Sequence, residues 1–386
     1  MTDVPPAPRP LAALRAMIDA VDRELLQSIA RRMGIVAEVA EHKRHHRIRI
    51  RDVERERSLL ADRADRAEKL GLPPATIESV YRLLLMASRE HQAALRAEVP
   101  IQVEPRTIAV LGGEGGMGRM LARLFGDLGH AVIVADTRNN VSNVEAAKAA
   151  EVVVVSVPIE ATADVIREVG PHVRADGLLM DVTSIKGEPM RAMLDATKAS
   201  VVGTHPMFGP SLHTVQGQRV VVCRGRGDAW YEWVTSTLAS RGLVITECSP
   251  EEHDQVMAVV QVLNHFRTQV MGLALSRLGI PFERTLAFTS PAYLLESYVT
   301  ARHFAQDPAL YGPIEMRNPD TARVTAAFVD AASDLAAILE RKDQKAFAGV
   351  FDRVRAFFGA FSEEALRESQ HLIDRVVELT AGRPPS

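Results

Sequence analysis

The sequence predicts a multidomain chain: an all-α N-terminal part, a central α/β part with a largely parallel sheet, and an all-α C-terminal part. Three observations predict it. Residues 11 to 97 hold no convincing strand and repeat their apolar residues at helical spacing. From residue 107, short β-branched runs alternate with helix-like segments. At Ser249 the pattern turns helical again and stays so to about Leu379. The boundaries read as 1–98, a linker at 99–106, 107–248, 249–379 and a frayed tail at 380–386.

A chain of 386 residues has room for more than one core. Its 47% hydrophobic and 25% charged residues are ordinary for globular proteins. A net charge of -3 argues against a nucleic-acid binder. No apolar run reaches the length of a membrane span, and MTDVPPAPRP lacks a signal-peptide core, so a cytoplasmic protein is expected. Cys223 and Cys248 stand in no metal-binding spacing, and HKRHHR at 42–47 has no acidic or cysteine partner at suitable spacing, so no metal is expected.

In the first part, Leu11, Leu14, Ile18, Val21, Leu25, Ile29, Val36 and Val39 mark one very long helix. A second helix is predicted from Asp52 to about Leu70, where GLPPAT stops it, and a third from about Ala75 to Ala97. Three such helices leave an apolar stripe that a second copy of the chain can cover. The charge-rich stretch RIRDVERERS, at 49–58, opens the second helix. It reads either as a solvated face of ion pairs or as a site for a small dianion.

In the central part, TIAVL, AVIVA, VVVVSV, LLMDV, VVGTH and RVVVC are the strand candidates. IAVLGGEGGMGRMLARLF is a strand, a glycine loop and a helix, the signature of a Rossmann-type dinucleotide-binding fold. Gly113 is assigned the tight turn, Gly115 the close approach of a pyrophosphate, and Gly118 the packing of helix on strand. The helix N-terminus then offers free N–H groups to the phosphates. Asp136 ends the second strand, where an acid bonds the ribose hydroxyls of NAD and repels the extra phosphate of NADP; nearby Arg138 leaves NADP open. Gly116, Met117, Ser156 and Pro158 complete the cofactor-binding candidates. Ligands of such sheets bind beyond the carboxyl ends of the strands. Ser184 and Lys186 follow LLMDV there, and His205 follows VVG. SPEEHD opens the third part with an N-cap serine, a proline at N1 and a glutamate at N3. The long helices behind it are too apolar for a monomer surface, so a dimer interface is expected.

The stretches VLGGEGGMGRM, VVVSVPI, DVTSIK, GTHPMFGP, EEHDQVMAVVQVLNHF and ARHFAQDPALY stand in one order over residues 107 to about 375. In them the chain resembles the prephenate dehydrogenases. The resemblance implies oxidative decarboxylation of prephenate to 4-hydroxyphenylpyruvate with NAD as acceptor. It casts neutral His205 as the group that takes the hydrogen bond of the ring hydroxyl, Ser184 as its orienter and Lys186 as support. It gives Arg302 the ring carboxylate, and His265 and Gln261 the substrate pocket. A histidine near neutral pKa suits a hydroxyl that acidifies as its carbon becomes a carbonyl. Ser211 and Glu160 depart from the family pattern.

The N-terminal part carries Arg15, Arg32, Lys43, Asp52, Arg55, Glu56, Ser88 and Gln92. In this polar set it resembles the all-helical chorismate mutases, and the whole chain resembles the bifunctional T-proteins, a chorismate mutase fused to a prephenate dehydrogenase. Arg32 and Lys43 are eleven residues apart, so they share a helix face within about 20°. Asp52 with Glu56, and Ser88 with Gln92, are i,i+4 pairs. Arg15 lies about 25 Å from Arg32 along a straight helix, too far for one small ligand. The resemblance implies a dimer that swaps its long first helices, so that Arg15 completes the partner's site. A pericyclic rearrangement needs no nucleophile; it needs pinned carboxylates and donors at the breaking C–O bond. Arg15, Arg32 and Arg55 are the clamp candidates, and Lys43 and Gln92 the donors. Arg49, Arg51 and Arg57 are read as solvated. The resemblance further implies homodimers and feedback inhibition by L-tyrosine. Three other readings stay open: a dehydrogenase with a non-catalytic helical regulatory module, arogenate in place of prephenate, and a non-catalytic NAD sensor.

Overall fold

The structure, a computed structural model, describes residues 9–46, 48, 50–95, 104–212 and 214–380. Residues 381–386 of the expected tail, most of the linker and Arg49 lie outside the described residues.

Helix α1 (Leu11–His46) runs 36 residues, as its apolar spacing predicts. Asp52 caps α2 (Val53–Lys69) by accepting a hydrogen bond from Arg55 N at 2.9 Å. Acids in the first turn of α2 and bases in its last turn suit the helix dipole. Gly71, at φ +71°, turns the chain beyond the helix, and α3 (Pro74–Ala94) begins with proline. The helical part buries little: Ala40 and Ala67 on the helices, Ile50 in the loop before α2, and Ser88 and Gln92 on α3. Most large apolar residues of α1 stay exposed, Val21 at 57% and Leu25 at 54% among them. One protomer leaves the stripe uncovered.

The central part is a seven-stranded sheet of order β2-β1-β3-β4-β5-β6-β7. Strands β1 (Thr107–Leu111), β2 (Ala131–Ala135), β3 (Val152–Val155), β4 (Leu178–Asp181) and β5 (Ser200–Pro206) run parallel. β6 (Arg219–Arg226) is antiparallel to β5, and β7 (Val244–Glu247) is parallel to β6. The sequence reading omits β7: VITE is a short, mostly exposed edge strand with no apolar run to mark it. Helices α4 (Gly116–Asp127) and α8 (Asp228–Ser240) cover one face through Leu124, Phe125 and Leu238. Helices α5 (Asn143–Ala149), α6 (Ile159–Val169) and α7 (Gly187–Ala196) cover the other through Ala147, Ile166 and Met193. With both faces covered, the central strands are continuous valine, isoleucine and leucine runs. The strand order reverses at β1 and β3, which opens a crevice at their carboxyl ends.

Ser249 caps α9 (Pro250–Met257), accepting from Glu252 N at 3.1 Å. A π-helical turn, Ala258–Leu263, joins α9 to α10 (Asn264–Arg277). Then follow α11 (Phe282–Leu286), α12 (Pro291–Phe304), α13 (Pro308–Met316), α14 (Thr321–Glu340), α15 (Gln344–Phe358) and α16 (Phe361–Thr380). Among the described residues no helix is long and apolar enough to cross a membrane.

Both tryptophans, Trp230 and Trp233, lie in α8, so their fluorescence reports on the central part alone. Ile166 is fully buried beneath the sheet. Ile166→Ala is expected to lower the stability read from the urea transition of that fluorescence by about 2–5 kcal/mol. An unchanged midpoint would mean that α6 does not pack as described.

Candidate active sites

Two sites form, one in each functional half of the chain. In the helical part, α1, α2 and α3 bring together most of the predicted polar set. Arg32 Nη1 donates to Ser88 Oγ at 2.5 Å, and Ser88 donates to Leu84 O at 2.5 Å. Lys43 Nζ donates to Ile50 O at 2.5 Å, which draws the lysine toward the loop before α2. Gln92 is buried, gives one amide N–H to Ser88 O at 3.2 Å, and leaves its Oε1 without a partner. Arg89, absent from the sequence reading, donates to Glu56 at 2.6 Å, and Arg51 approaches the same carboxylate at 3.5 Å. Arg51 is thus solvated and also braces a site residue, a correction to its reading as face alone. Arg57 pairs with Glu54 on the surface. The Asp52 carboxylate is engaged by Arg55 N, and the Arg55 side chain is exposed. Arg15 is exposed and lies on the same unbroken helix as Arg32, so it does not join this protomer's set.

The second site begins with the glycine loop. Gly112, not Gly113, makes the turn: its φ is +75°, and a Cβ there would lie 2.5 Å from Ser156 O. Gly113 is needed for close approach, since a Cβ would lie 2.7 Å from Val134 Cγ1. Gly118 takes its predicted place: a Cβ would lie 2.3 Å from Gly112 O. Gly115 caps α4 without a side chain, and Gly116 faces Pro210 from the GTHPMFGP loop. Met117 packs into the core beneath the loop, and Pro158 caps α6 across the crevice. The Asp136 carboxylate accepts from Glu114 N at 3.0 Å and from Arg138 Nε at 2.9 Å. The Arg138 hydrogen bond leads the effects that lower its pKa to about 2, so it is an anion at neutral pH. A glycine cradle at a helix N-terminus beside such an acid fits an adenine dinucleotide with free ribose hydroxyls.

At the ends of β4 and β5, Lys186 and Asp181 form a fully buried ion pair. Asp181 also accepts from Thr183 N at 3.0 Å. His205, 2% exposed, has Nδ1 at 2.8 Å from His253 Nε2 and Nε2 at 3.4 Å from Gln261 Nε2. Ser184 makes no hydrogen bond to His205; His253 holds the position that the sequence reading gives to the serine. Burial, then the nearby His253 and the Lys186 charge, lower the His205 pKa well below the ordinary histidine value. His205 is therefore neutral at pH 7. The π-helical turn carries Gln261, and His265 follows four residues later. Gln261 Oε1 and His265 Nδ1 are buried without a hydrogen-bond partner, as atoms lining a polar ligand pocket can be, and Glu315 Oε1 lies 3.8 Å from His265 Nδ1. Burial, then His303, lowers the His265 pKa to about 4. Tyr311, His303 and Glu315 surround it, and Gln269 donates to Glu315 at 2.7 Å. Arg302 is exposed at the end of α12 and makes no ion pair with a described residue.

The N-terminal helices match the family chorismate mutase type II over residues 14–93. The central part matches the nucleotide-binding domain of prephenate dehydrogenase over 126–246, and the C-terminal part its dimerization domain over 249–353. Over about two thirds of the chain the fold is similar to that of the A. aeolicus prephenate dehydrogenase solved in complex with hydroxyphenyl propionate and NAD+. That likeness has a TM-score of 0.55 at 16% identity and covers 66% of this chain and 98% of that one. Fold and sites together define an enzyme that joins a chorismate mutase to a prephenate dehydrogenase. The T-protein of Enterobacter agglomerans is 37% identical over 365 residues, which are 94% of this chain and 97% of that protein. The T-protein of Haemophilus influenzae is 34% identical over 374 residues, 96% and 98% of the two chains. The chain belongs to the T-protein family, and is a bifunctional chorismate mutase and prephenate dehydrogenase of tyrosine biosynthesis.

Gly118→Ala is expected to raise KM for the dinucleotide at least about tenfold while mutase activity is unchanged, because the added methyl meets Gly112 O at 2.3 Å. Steady-state kinetics with each substrate checks this; an unchanged KM would mean that the loop tolerates a wider gap between α4 and β1.

Proposed function

We propose that the helical part rearranges chorismate to prephenate, and that the α/β and C-terminal parts oxidise prephenate to 4-hydroxyphenylpyruvate, carbon dioxide and NADH. NAD, when bound, supplies the acceptor for the hydride that leaves C4. The observation that carries the second half is a neutral, buried His205 at a strand tip beyond the glycine cradle. His205 takes the C4 hydroxyl proton as carbonyl character develops there. It returns the proton to the same oxygen as carbon dioxide departs and the ring becomes a phenol. Departure of carbon dioxide and gain of aromaticity supply the driving force, so the protein mainly orients the substrate and manages one proton. Arg302 clamps the ring carboxylate with its unpaired guanidinium. Ser184, half-buried in the loop after β4, is left to bond the substrate. Gln261 and His265 line the pocket, and Gln261 yields its place at His205 Nε2 to the hydroxyl.

In the mutase site, Arg32 and the partner's copy of the exposed first turns of α1 pin the two carboxylates, with Arg15 supplied across a homodimer. Support comes from the uncovered apolar face of α1 and from the length of that helix. Lys43 and Gln92 donate to the ether oxygen as it gains charge, and Glu56 takes the substrate hydroxyl. Feedback inhibition by L-tyrosine and a cytoplasmic location complete the reading.

Purified protein with chorismate and no NAD is expected to consume chorismate, and NADH absorbance is expected to rise only after NAD is added. Added millimolar tyrosine is expected to slow that rise. Untouched chorismate, with prephenate still oxidised, would reduce the helical part to a scaffold; an unchanged rate would remove the inhibition. The two activities also differ in pH response. The lowered His205 pKa places the acid limb of dehydrogenase kcat/KM below the ordinary histidine range, with activity lost as pH falls through it. The mutase, whose Gln92 donates at any pH, is expected not to share that limb.

A further inference from the structure

Behind His205 stands a chain of groups whose proton positions are fixed from one end. The Asp254 carboxylate accepts from Lys186 N at 2.8 Å on Oδ1 and from Gly187 N at 2.9 Å on Oδ2. Both oxygens are therefore engaged by backbone N–H groups at the N-terminus of α7. Burial works to raise the Asp254 pKa, but the His253 bond and these two outweigh it, and the carboxyl stays below its ordinary value. An ionised carboxylate only accepts. His253 Nδ1, 2.8 Å from Asp254 Oδ1, must then carry a hydrogen. His253 is fully buried, and burial keeps it neutral, so its lone pair lies on Nε2. That nitrogen is 2.8 Å from His205 Nδ1, which must carry a hydrogen in turn. His205, also neutral, is left with its lone pair on Nε2, facing the Gln261 amide at 3.4 Å, a group that donates.

We propose that His253 and Asp254 are positioning residues of the dehydrogenase: a carboxylate–imidazole–imidazole chain that locks His205 in the tautomer whose Nε2 accepts the substrate's hydroxyl proton. The inference rests on the reading of His205 as proton acceptor. The transferred proton is held on His205 Nε2 until it returns to the substrate oxygen, and the protons on His205 Nδ1 and His253 Nδ1 stay in place. The imidazolium so formed keeps its Nδ1–H bond to His253, whose own Nδ1–H bond runs to a fixed anion. Asn318 Nδ2 donates to Asp254 O at 2.8 Å, so the turn before α14 steadies the chain from a third side.

The test has two parts, both on the full-length protein. In wild-type protein labelled with 15N-histidine, the ring nitrogen shifts are expected to show His205 and His253 both protonated on Nδ1 at neutral pH. A His205 protonated on Nε2 would overturn the proposal without any variant. In kinetics, His253→Leu removes the acceptor and is expected to lower dehydrogenase kcat about 100-fold, with KM for prephenate and the mutase rate near wild type. His253→Gln can still accept from His205 Nδ1 through Oε1, and is expected to recover at least about tenfold of that loss. A merely structural histidine would show no such rescue, and a His253→Leu kcat within about threefold of wild type would also overturn the proposal. His205→Asn separates the underlying reading: if that variant turns over normally, His205 is not the proton acceptor, whatever His253 does.

Discussion

The Asp254 carboxylate is the contact on which the dehydrogenase site depends. It caps α7 from outside that helix, taking the two backbone N–H groups at its start, and takes the His253 ring on the same oxygen that receives Lys186 N. A helix N-terminus favours an anion through its free N–H groups and its dipole. Here the anion comes from the C-terminal helical part, so one side chain fixes α9 against the loop that follows β4. That loop carries Ser184 and Lys186, and α9 carries His253. The distance between His253 and His205 is therefore set by a joint between two parts of the chain, and any loosening of the joint reaches the reacting nitrogen.

Lys186 illustrates the electrostatic side of the same arrangement. Its ammonium is fully buried and paired with an equally buried Asp181. Removing one partner of such a pair leaves an uncompensated charge, which typically costs about 3–5 kcal/mol. The lysine therefore cannot be exchanged cheaply, and its position is part of the fold as well as of the site. Its positive charge, next to burial and His253, holds His205 neutral. A base that must begin its work unprotonated gains from a fixed cation nearby, provided that the cation is itself balanced and does not attract the substrate carboxylates away from their clamp.

Much of this was legible in the sequence, and the rest was hidden for identifiable reasons. The long α1 follows directly from apolar spacing, and the parallel strands from valine-rich runs between helices. The glycine loop showed its function but not its division of labour: the spacing put the tight turn on Gly113, whereas Gly112 takes the positive φ, with Ser156 O where a Cβ would stand. β7 escaped because a short exposed edge strand lacks the pattern by which strands are read. His253 and Asp254 stood within the quoted stretch EEHDQVMAVVQVLNHF, yet adjacent residues on a helix point some 100° apart, so nothing suggested that both serve one site. The π-helical turn Ala258–Leu263 adds to this difficulty. It breaks the 3.6-residue period between α9 and α10, so ordinary helical spacing cannot relate Gln261 to His253, although both reach His205.

The two sites also place different demands on the protein, and the structure reflects this. A pericyclic rearrangement requires fixed charges and donors that need not change state. The mutase site offers arginine, lysine, serine and a glutamine, with Arg89 and Arg51 bracing Glu56. Such a site can be built on the surface of thin helices that bury little of their own apolar face. Hydride transfer coupled to a proton requires one group that changes state at the right moment and in the right tautomer. His205, the group proposed for this part, is buried between a sheet and a helical part, and the chain of Asp254, His253 and His205 spans that boundary. Depth suits a proton-transfer site: burial lowers the pKa of each imidazole further, and the chain gives His205 Nδ1 and His253 Nδ1 one fixed partner each in place of exchanging water.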